Sequence, residues 1–351
     1  MHFFEKPIVL APMAGGPSTP DLCAAVSKAG GLGFLASGYL STDDLAEQIT
    51  IVENQTERFY GINLFCPPSV NEEDSGSYSA YRDQLIEKLT FSSELPKEPI
   101  WSDDNYEEKL DIAIGSRAKF ISFTFGYPEK ATIKSVQAKG KNVVLNATTP
   151  EEIDHVLDLG ADVLALQGKN AGGHRATVIS SEQAGTSYTS SDLLRYAVSK
   201  TRLPIFAGGG VGTASDVVEL IRAGATAVMV GTRFLTANEA GTKQTHRRAI
   251  LNFTDRETAT TRAFSGKIAR SIRNDFIDQF SSIAPAMYPE IHYLTAPIRA
   301  EANADGNPEA LNLWAGDGFG HCREDSAENI IDELLSYSRT WRQQGRGSSD
   351  S

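Results

Sequence analysis

The sequence predicts an α/β fold, a TIM (β/α)8 barrel with an additional C-terminal subdomain, on three observations. From Pro7 to about Leu235, short apolar or β-branched runs alternate with amphipathic segments. The apolar runs number eight, the count that closes a parallel barrel. Glycine-rich stretches follow the sixth, seventh and eighth runs, the strand ends at which such barrels build their sites. A doubly wound open sheet also alternates strands and helices, but normally has fewer strands and a topological switch, so it ranks second.

The predicted strands are PIVLAPMA from Pro7, GLGFLASGY from Gly31, FYGINLFCP from Phe59, AKFISFTFG from Ala118, KNVVLNAT from Lys141, ADVLALQG from Ala161, LPIFAGGGV from Leu203 and ATAVMVGTRF from Ala225. Helices are expected over TPDLCAAVSKAGG, STDDLAEQITIVENQ, TPEEIDHVLDLG and TASDVVELIRAG, each beginning on an N-cap residue and stopping at glycine. Residues 68–105, rich in Ser, Glu, Asp and Pro, are too long for an ordinary βα loop and predict a helical excursion over the barrel mouth. The rhythm changes after Ala249. This places the barrel at 1–249, a subdomain beside it at 250–342, and a polar tail at 343–351.

A chain of 351 residues that is 40% hydrophobic can bury a large core. Its net charge of −12 repels nucleic acid and anionic membrane surfaces, so neither is expected as a partner. Any anionic ligand must be held by locally placed donors. The three cysteines, Cys23, Cys66 and Cys322, are too scattered for a disulfide framework or a zinc cluster, and suit a reducing cytoplasm. No metal site is expected. The N-terminus lacks a signal-peptide pattern, and no apolar run approaches membrane-spanning length.

At the carboxyl ends of the runs, the seventh leads into Gly208, Gly209, Gly210 and Gly212, and the eighth into Gly231 and Thr232. Glycines let backbone N–H groups approach an anion, and a following helix points its positive end there, so the pair of loops reads as a phosphate cradle. A lone Gly-rich loop is usually only a turn; two at consecutive strand ends favour the cradle. GGGVGT does not read as a dinucleotide fingerprint, because no suitable acidic residue follows about 20 positions later. After the sixth run, ALQGKNAGGHRAT sets Gln167, Gly172, Gly173 and His174 at the mouth. His174 has no helix face to pack upon and is the expected functional histidine, whereas His2, His155, His246 and His292 are assigned surface or structural roles. Asn63 ends the third run, and Ala11 and Met13 end the first. The donor and acceptor groups of Asn63 and Gln167 suit a heteroatom-rich ring edge.

Taken together and in order, PIVLAPMAGG, GINLF, QGKNAGGHR, PIFAGGGVGTASDV, VMVGTRFLTANEAG, FSGKIARSIRN and LWAGDGFG resemble the nitronate monooxygenases across nearly the whole chain. The resemblance implies a TIM barrel holding FMN at its carboxyl face through Ala11, Met13, Asn63, Gln167, Gly172, Gly173, Gly208, Gly210, Gly231 and Thr232. It implies that His174 is the active-site histidine. The implied reaction converts an alkyl nitronate, such as propionate 3-nitronate, and dioxygen to a carbonyl compound and nitrite. Neutral His174 would remove a proton from a nitroalkane, and its protonated form would help hold a nitronate. Asp317 and His321 stand where more neutral residues are expected, and Tyr288, His292, Tyr293 and Arg299 line or support the pocket. The main rival is an NAD(P)H-dependent FMN reductase of the enoyl-reductase or quinone-reductase type on the same barrel. Substrate identity and oligomeric state are left open by the sequence.

Overall fold

The structure, a computed structural model, describes residues 4–67 and 75–336. The first part of the 68–105 excursion, residues 68–74, and the tail expected at 343–351 lie outside the described residues. The C-terminal helix is Ala327–Leu334.

In chain order the strands are β1 (Ile8–Leu10), β2 (Gly33–Ala36), β3 (Tyr60–Phe65), β4 (Phe120–Thr124), β5 (Asn142–Ala147), β6 (Val163–Gln167), β7 (Gly173–His174), β8 (Ile205–Gly208), β9 (Ala227–Val230), β10 (Thr258–Thr261) and β11 (Ala269–Ile272). All eight predicted runs become strands of one parallel sheet, ordered β1-β9-β8-β6-β5-β4-β3-β2. A parallel bridge from Val9 to Leu32 brings its two ends together, so the sheet is a nearly closed barrel. An open doubly wound sheet would leave β1 and β2 at opposite edges. β8 and β9 are therefore the seventh and eighth barrel strands.

Closure follows from a two-residue alternation in side-chain direction. Val9, Phe34, Phe120, Val144, Val163, Ala165, Phe206 and Ala227 fill the barrel interior. Their strand neighbours Ile8, Leu10, Leu35, Ile121, Val143, Leu145, Leu164 and Val228 face the helices in a second core. The helices Pro20–Lys28, Thr42–Gln55, Pro150–Leu159 and Ala214–Arg222 begin on Thr19, Ser41, Thr149 and Thr213, whose side chains accept from the first turn. The glycine stop does not apply to Thr42–Gln55, which ends on Thr56 in extended backbone.

The 68–105 segment contributes the helix Ser75–Lys88. Its Tyr78, Tyr81 and Leu85 pack with Phe264, Phe276, Phe280 and Leu294 from the C-terminal third in a separate core. Strands β10 and β11 make an antiparallel sheet that β7 joins, with His174 opposite Ala269. The C-terminal third is thereby hydrogen-bonded to the loop carrying His174.

Candidate active site

At the carboxyl ends of the barrel strands lies a cavity of about 430 Å³. Its walls include Ala11, Met13, Asn63, Gln167, Gly172, Gly173, His174, Gly208, Gly209, Gly210, Gly231 and Thr232, so the residues singled out in the sequence converge on one space. They arrive there because each follows or ends a parallel strand.

One side is bare backbone. Gly209 and Gly210 hold φ values of +131° and +76°, a region that L side chains avoid. A Cβ on Gly210 would stand 2.8 Å from the Asn170 Cβ, and one on Gly208 would stand 2.5 Å from the Met229 carbonyl oxygen. Asp216 accepts the N–H groups of Gly212 and Thr213 at 2.9 and 2.8 Å and its own N–H meets Thr213 Oγ1, so its carboxylate offsets part of the positive end of the next helix. The C-terminal segment closes the cradle from outside, with Gly316 N–H donating to Thr232 Oγ1 at 3.0 Å. Gly172 has no room for a Cβ, which would lie 2.4 Å from Gly316 N.

His174 sits on β7 rather than on a free loop. Gln167 holds it there: its Nε2 donates to the His174 carbonyl and its Oε1 accepts from Ala176 N–H, both at 2.9 Å. The carboxamide of Gln167 is thus engaged in shaping the wall. Asn63 donates through Nδ2 to Ser122 Oγ at 2.8 Å and Thr124 Oγ1 at 2.9 Å, which directs its oxygen away from both hydroxyls. The His174 ring touches Phe125, Tyr288 and Trp314 at centroid distances of 5.6, 5.8 and 5.2 Å. Its Nε2 lies 2.8 Å from Ser265 Oγ.

Burial, reinforced by the positive charges of Lys267 and Arg299, pushes His174 down to about 3. The imidazole is neutral at pH 7. To hold an anion in its protonated form, the ring would need that anion's own charge to raise this pKa. His246 is likewise pushed down by burial to about 4, and its Nε2 is buried without a partner. His292 is held well below the usual histidine range by burial, then by Arg299. The sequence gives both histidines surface or structural roles, and His292 also a place lining or supporting the pocket; both stand on the cavity wall.

The wall opposite the glycines is made of side chains. Tyr39 stacks on His292 at 4.1 Å with ring planes 1° apart. Its hydroxyl lies 3.0 Å from that of Tyr288. Tyr39 and Phe125 both have φ of 69°, a conformation unusual for aromatic residues and here confined to the mouth. The Asp104 carboxylate holds Tyr39 in place by accepting its N–H at 2.8 Å and pairing with Lys109 at 2.8 Å. Arg299 and His292 line the main cavity, whereas Tyr288 and Tyr293 border a small space behind Tyr39. Asp317 lies off the cavity, paired with Arg270 at 3.1 Å and accepting from Asn170 at 2.5 Å. His321 packs on Gly212.

Sequence reasoning passed over Tyr39, Phe125, Lys243, Ser265 and Trp314. Tyr39 and Phe125 stand at the carboxyl ends of the predicted strands from Gly31 and Ala118, so position alone gave a signal for them. Ser265 and Trp314 stand in the FSGKIARSIRN and LWAGDGFG motifs, but their contacts with His174 are tertiary and not legible there.

A model of the family described as nitronate monooxygenase matches residues 1–336. The chain belongs to the nitronate monooxygenase family. It is 31% identical over 340 residues to a probable nitronate monooxygenase of Staphylococcus saprophyticus, covering 94% of each chain. Identity to a probable nitronate monooxygenase of Bacillus subtilis is 30% over 332 residues, covering 94% of this chain and 95% of that one. The crystal structure of nitroalkane oxidase from Streptomyces ansochromogenes superposes with a TM-score of 0.90 at 36% identity, over 97% of this chain and 98% of that one. FabK from Thermotoga maritima shares the fold, with a TM-score of 0.74 at 23% identity over 98% and 96% of the two chains. As a family member the chain is a flavin-dependent oxidoreductase acting on small molecules. Among the described residues no helix is long and apolar enough to cross a membrane.

Proposed function

We propose that the protein uses FMN to oxidise alkyl nitronates, such as propionate 3-nitronate, with dioxygen to a carbonyl compound and nitrite. The observation that carries this reading is the neutral, desolvated His174 in a cavity whose lining contains no Asp or Glu. An imidazole kept near 3 is a weak acceptor for a carbon-bound proton. A substrate that has already lost that proton needs no such base, and an acid-free lining does not repel it.

The bare backbone at Gly208–Gly210 and Gly231 fits a phosphate, and the Asn63 oxygen, left free by the two bonds of its Nδ2, can accept from a donor on a heteroatom-rich ring edge. FMN supplies the electron transfer between nitronate and dioxygen that no side chain can perform. The chain's own part is to bind and orient. Gln167 and Ser265 fix the His174 loop and ring, Phe125 and Trp314 keep water from it, and the glycine loops leave room for the cofactor backbone.

The test begins with the purified protein, which should be yellow and release FMN on denaturation; colourless protein that cannot be reconstituted would sink the cofactor assignment. Anaerobic addition of a nitronate should bleach it, whereas NADH or NADPH should not. Fast bleaching by a reduced nicotinamide would replace this reading with the reductase.

A further inference from the structure

The end of the 68–105 excursion anchors one residue of the cavity wall. Among the described residues, four non-glycine residues hold φ in the left-handed region: Tyr39, Asp104, Asn105 and Phe125. Phe125 lines the cavity. The other three lie at or beside a single contact, in which Asp104 Oδ1 accepts the Tyr39 N–H at 2.8 Å. A left-handed conformation is unfavourable for an L residue and persists only where its surroundings hold it.

Here they hold it from several sides. Asp104 N–H donates to Ser102 Oγ and Asn105 N–H to Asp103 Oδ1, both at 3.0 Å, which ties the turn. The second Asp104 oxygen pairs at 2.8 Å with Lys109, on the helix Tyr106–Gly115, whose side chain is only 1% exposed. The Lys109 ammonium also donates to the Ser37 carbonyl at 3.0 Å, and the Ser37 N–H donates to the Asn63 carbonyl at 3.0 Å. Asp104 and Lys109 thus grip the chain on both sides of Gly38, just beyond the end of β2. A buried ion pair is a poor source of stability compared with apolar packing, so its contribution here is the geometry it imposes.

The Tyr39 side chain is confined as well. Its ring stacks on His292 and meets Phe65 edge-on at 5.4 Å, and its hydroxyl lies against that of Tyr288. One boundary of the ring is the main cavity; the space behind it is about 10 Å³, room for about one water. The ring has nowhere to withdraw to when a larger ligand enters.

We propose that Asp104 is a positioning residue that, through Tyr39, limits the length of the nitronate chain the cavity accepts. This rests on the nitronate reading and adds a steric limit to it. Asp104 does not line the main cavity and borders only the space behind Tyr39, so it acts through that residue. Without its acceptor the Tyr39 backbone relaxes toward ordinary φ, the ring leaves its stack and the cavity lengthens.

The test is the ratio of kcat/KM for hexyl 1-nitronate to that for ethyl 1-nitronate, measured by oxygen consumption with FMN-loaded enzyme, a ratio in which a general loss of activity cancels. Wild type should favour the short member. Asp104→Ala combined with Lys109→Met leaves no unpaired buried charge and should raise the ratio about tenfold or more, chiefly through KM for the long member. Asp104→Asn combined with Lys109→Met keeps an oxygen to accept the Tyr39 N–H and should hold the wild-type ratio. Tyr39→Gly removes the ring, suits the left-handed backbone and should raise the ratio by itself. An unchanged ratio in Tyr39→Gly would overturn the proposal even if the Asp104 variants do not fold. A wild type that does not discriminate, or equal ratios in the two Asp104 variants, would overturn it too. Oxidation of neither nitronate by wild type would instead overturn the nitronate reading itself.

Discussion

The two sides of the cavity are built on opposite principles. The glycine side is backbone from β8, β9 and their loops, with no titratable group in the loops themselves; the facing wall is side chains from Tyr39, His174, His246, His292 and Arg299. The first fits a ligand by the absence of Cβ atoms, and little in it responds to pH. The second depends on packing and desolvation, so its chemistry belongs to the folded state. Changes on the two sides should therefore fail differently.

The largest expected effect is on the wall. Because an imidazole held near 3 is a weak base, wild type should turn over a neutral nitroalkane slowly, and a fall of about 10² to 10⁴ in that turnover in His174→Asn would show that the imidazole removes the carbon-bound proton after all. Oxidation of the preformed nitronate should fall much less, reflecting lost positioning alone. Steady-state rates on both substrates at equal FMN content decide this: equal losses exclude a role confined to proton abstraction. Retained activity on both removes His174 from the mechanism.

Acid should unfold the wall's contribution and spare the cradle's. His174 and His246 have folded pKa values of about 3 and about 4, below the unfolded value near 6.5. The unfolded chain therefore binds more protons between these limits. The stabilisation is fully present above pH 6.5 and is lost as pH falls to about 4 for His246 and about 3 for His174, by up to about 1.4 kcal/mol per pH unit for each. Thermal unfolding from pH 7 to 5 should show a steep fall in Tm, shallower in His246→Gln. A flat Tm would mean that these imidazoles are not desolvated. The same neutrality predicts no inflection near pH 6.5 in kcat/KM for a nitronate.

On the cradle side, Gly210→Val forces a β-branched residue into φ +76° against Asn170. It should weaken FMN binding by about tenfold or more, with the histidines' pH response unchanged. Fluorescence titration of apoprotein with FMN measures it, and unaltered affinity would remove this loop from cofactor binding. The smallest effect is expected from Ser265→Ala, which deletes the hydroxyl at His174 Nε2. A loss of about two- to tenfold in kcat with FMN affinity intact is the expected outcome, and no change would show that the ring is fixed by its aromatic neighbours alone.

Much of this was legible because it is local. Apolar runs such as Ile8-Val9-Leu10 assign buried strands, N-caps such as Thr149 and Thr213 start helices, and a glycine run at a strand end marks a close approach. Where a local sign had two meanings the reading went astray. The Thr213–Asp216 box that starts a helix well also places a carboxylate at the N-terminus expected to face a phosphate, and so offsets part of its positive end. His246 and His292 lie on ordinary amphipathic helices, and nothing in their own segments tells which face meets the cavity.

The sequence by itself determined the eight-stranded barrel, the glycine cradle and the placing of His174 at the mouth, because periodicity and backbone freedom are properties of short segments. Only the tertiary structure decided the opposite wall and its charge state. Tyr39 meets Tyr288 across 249 positions, and His174 meets Ser265 across 91. A histidine's protonation is set by how much water and how many charges its folded neighbours leave around it, quantities that do not exist until those distant segments have packed.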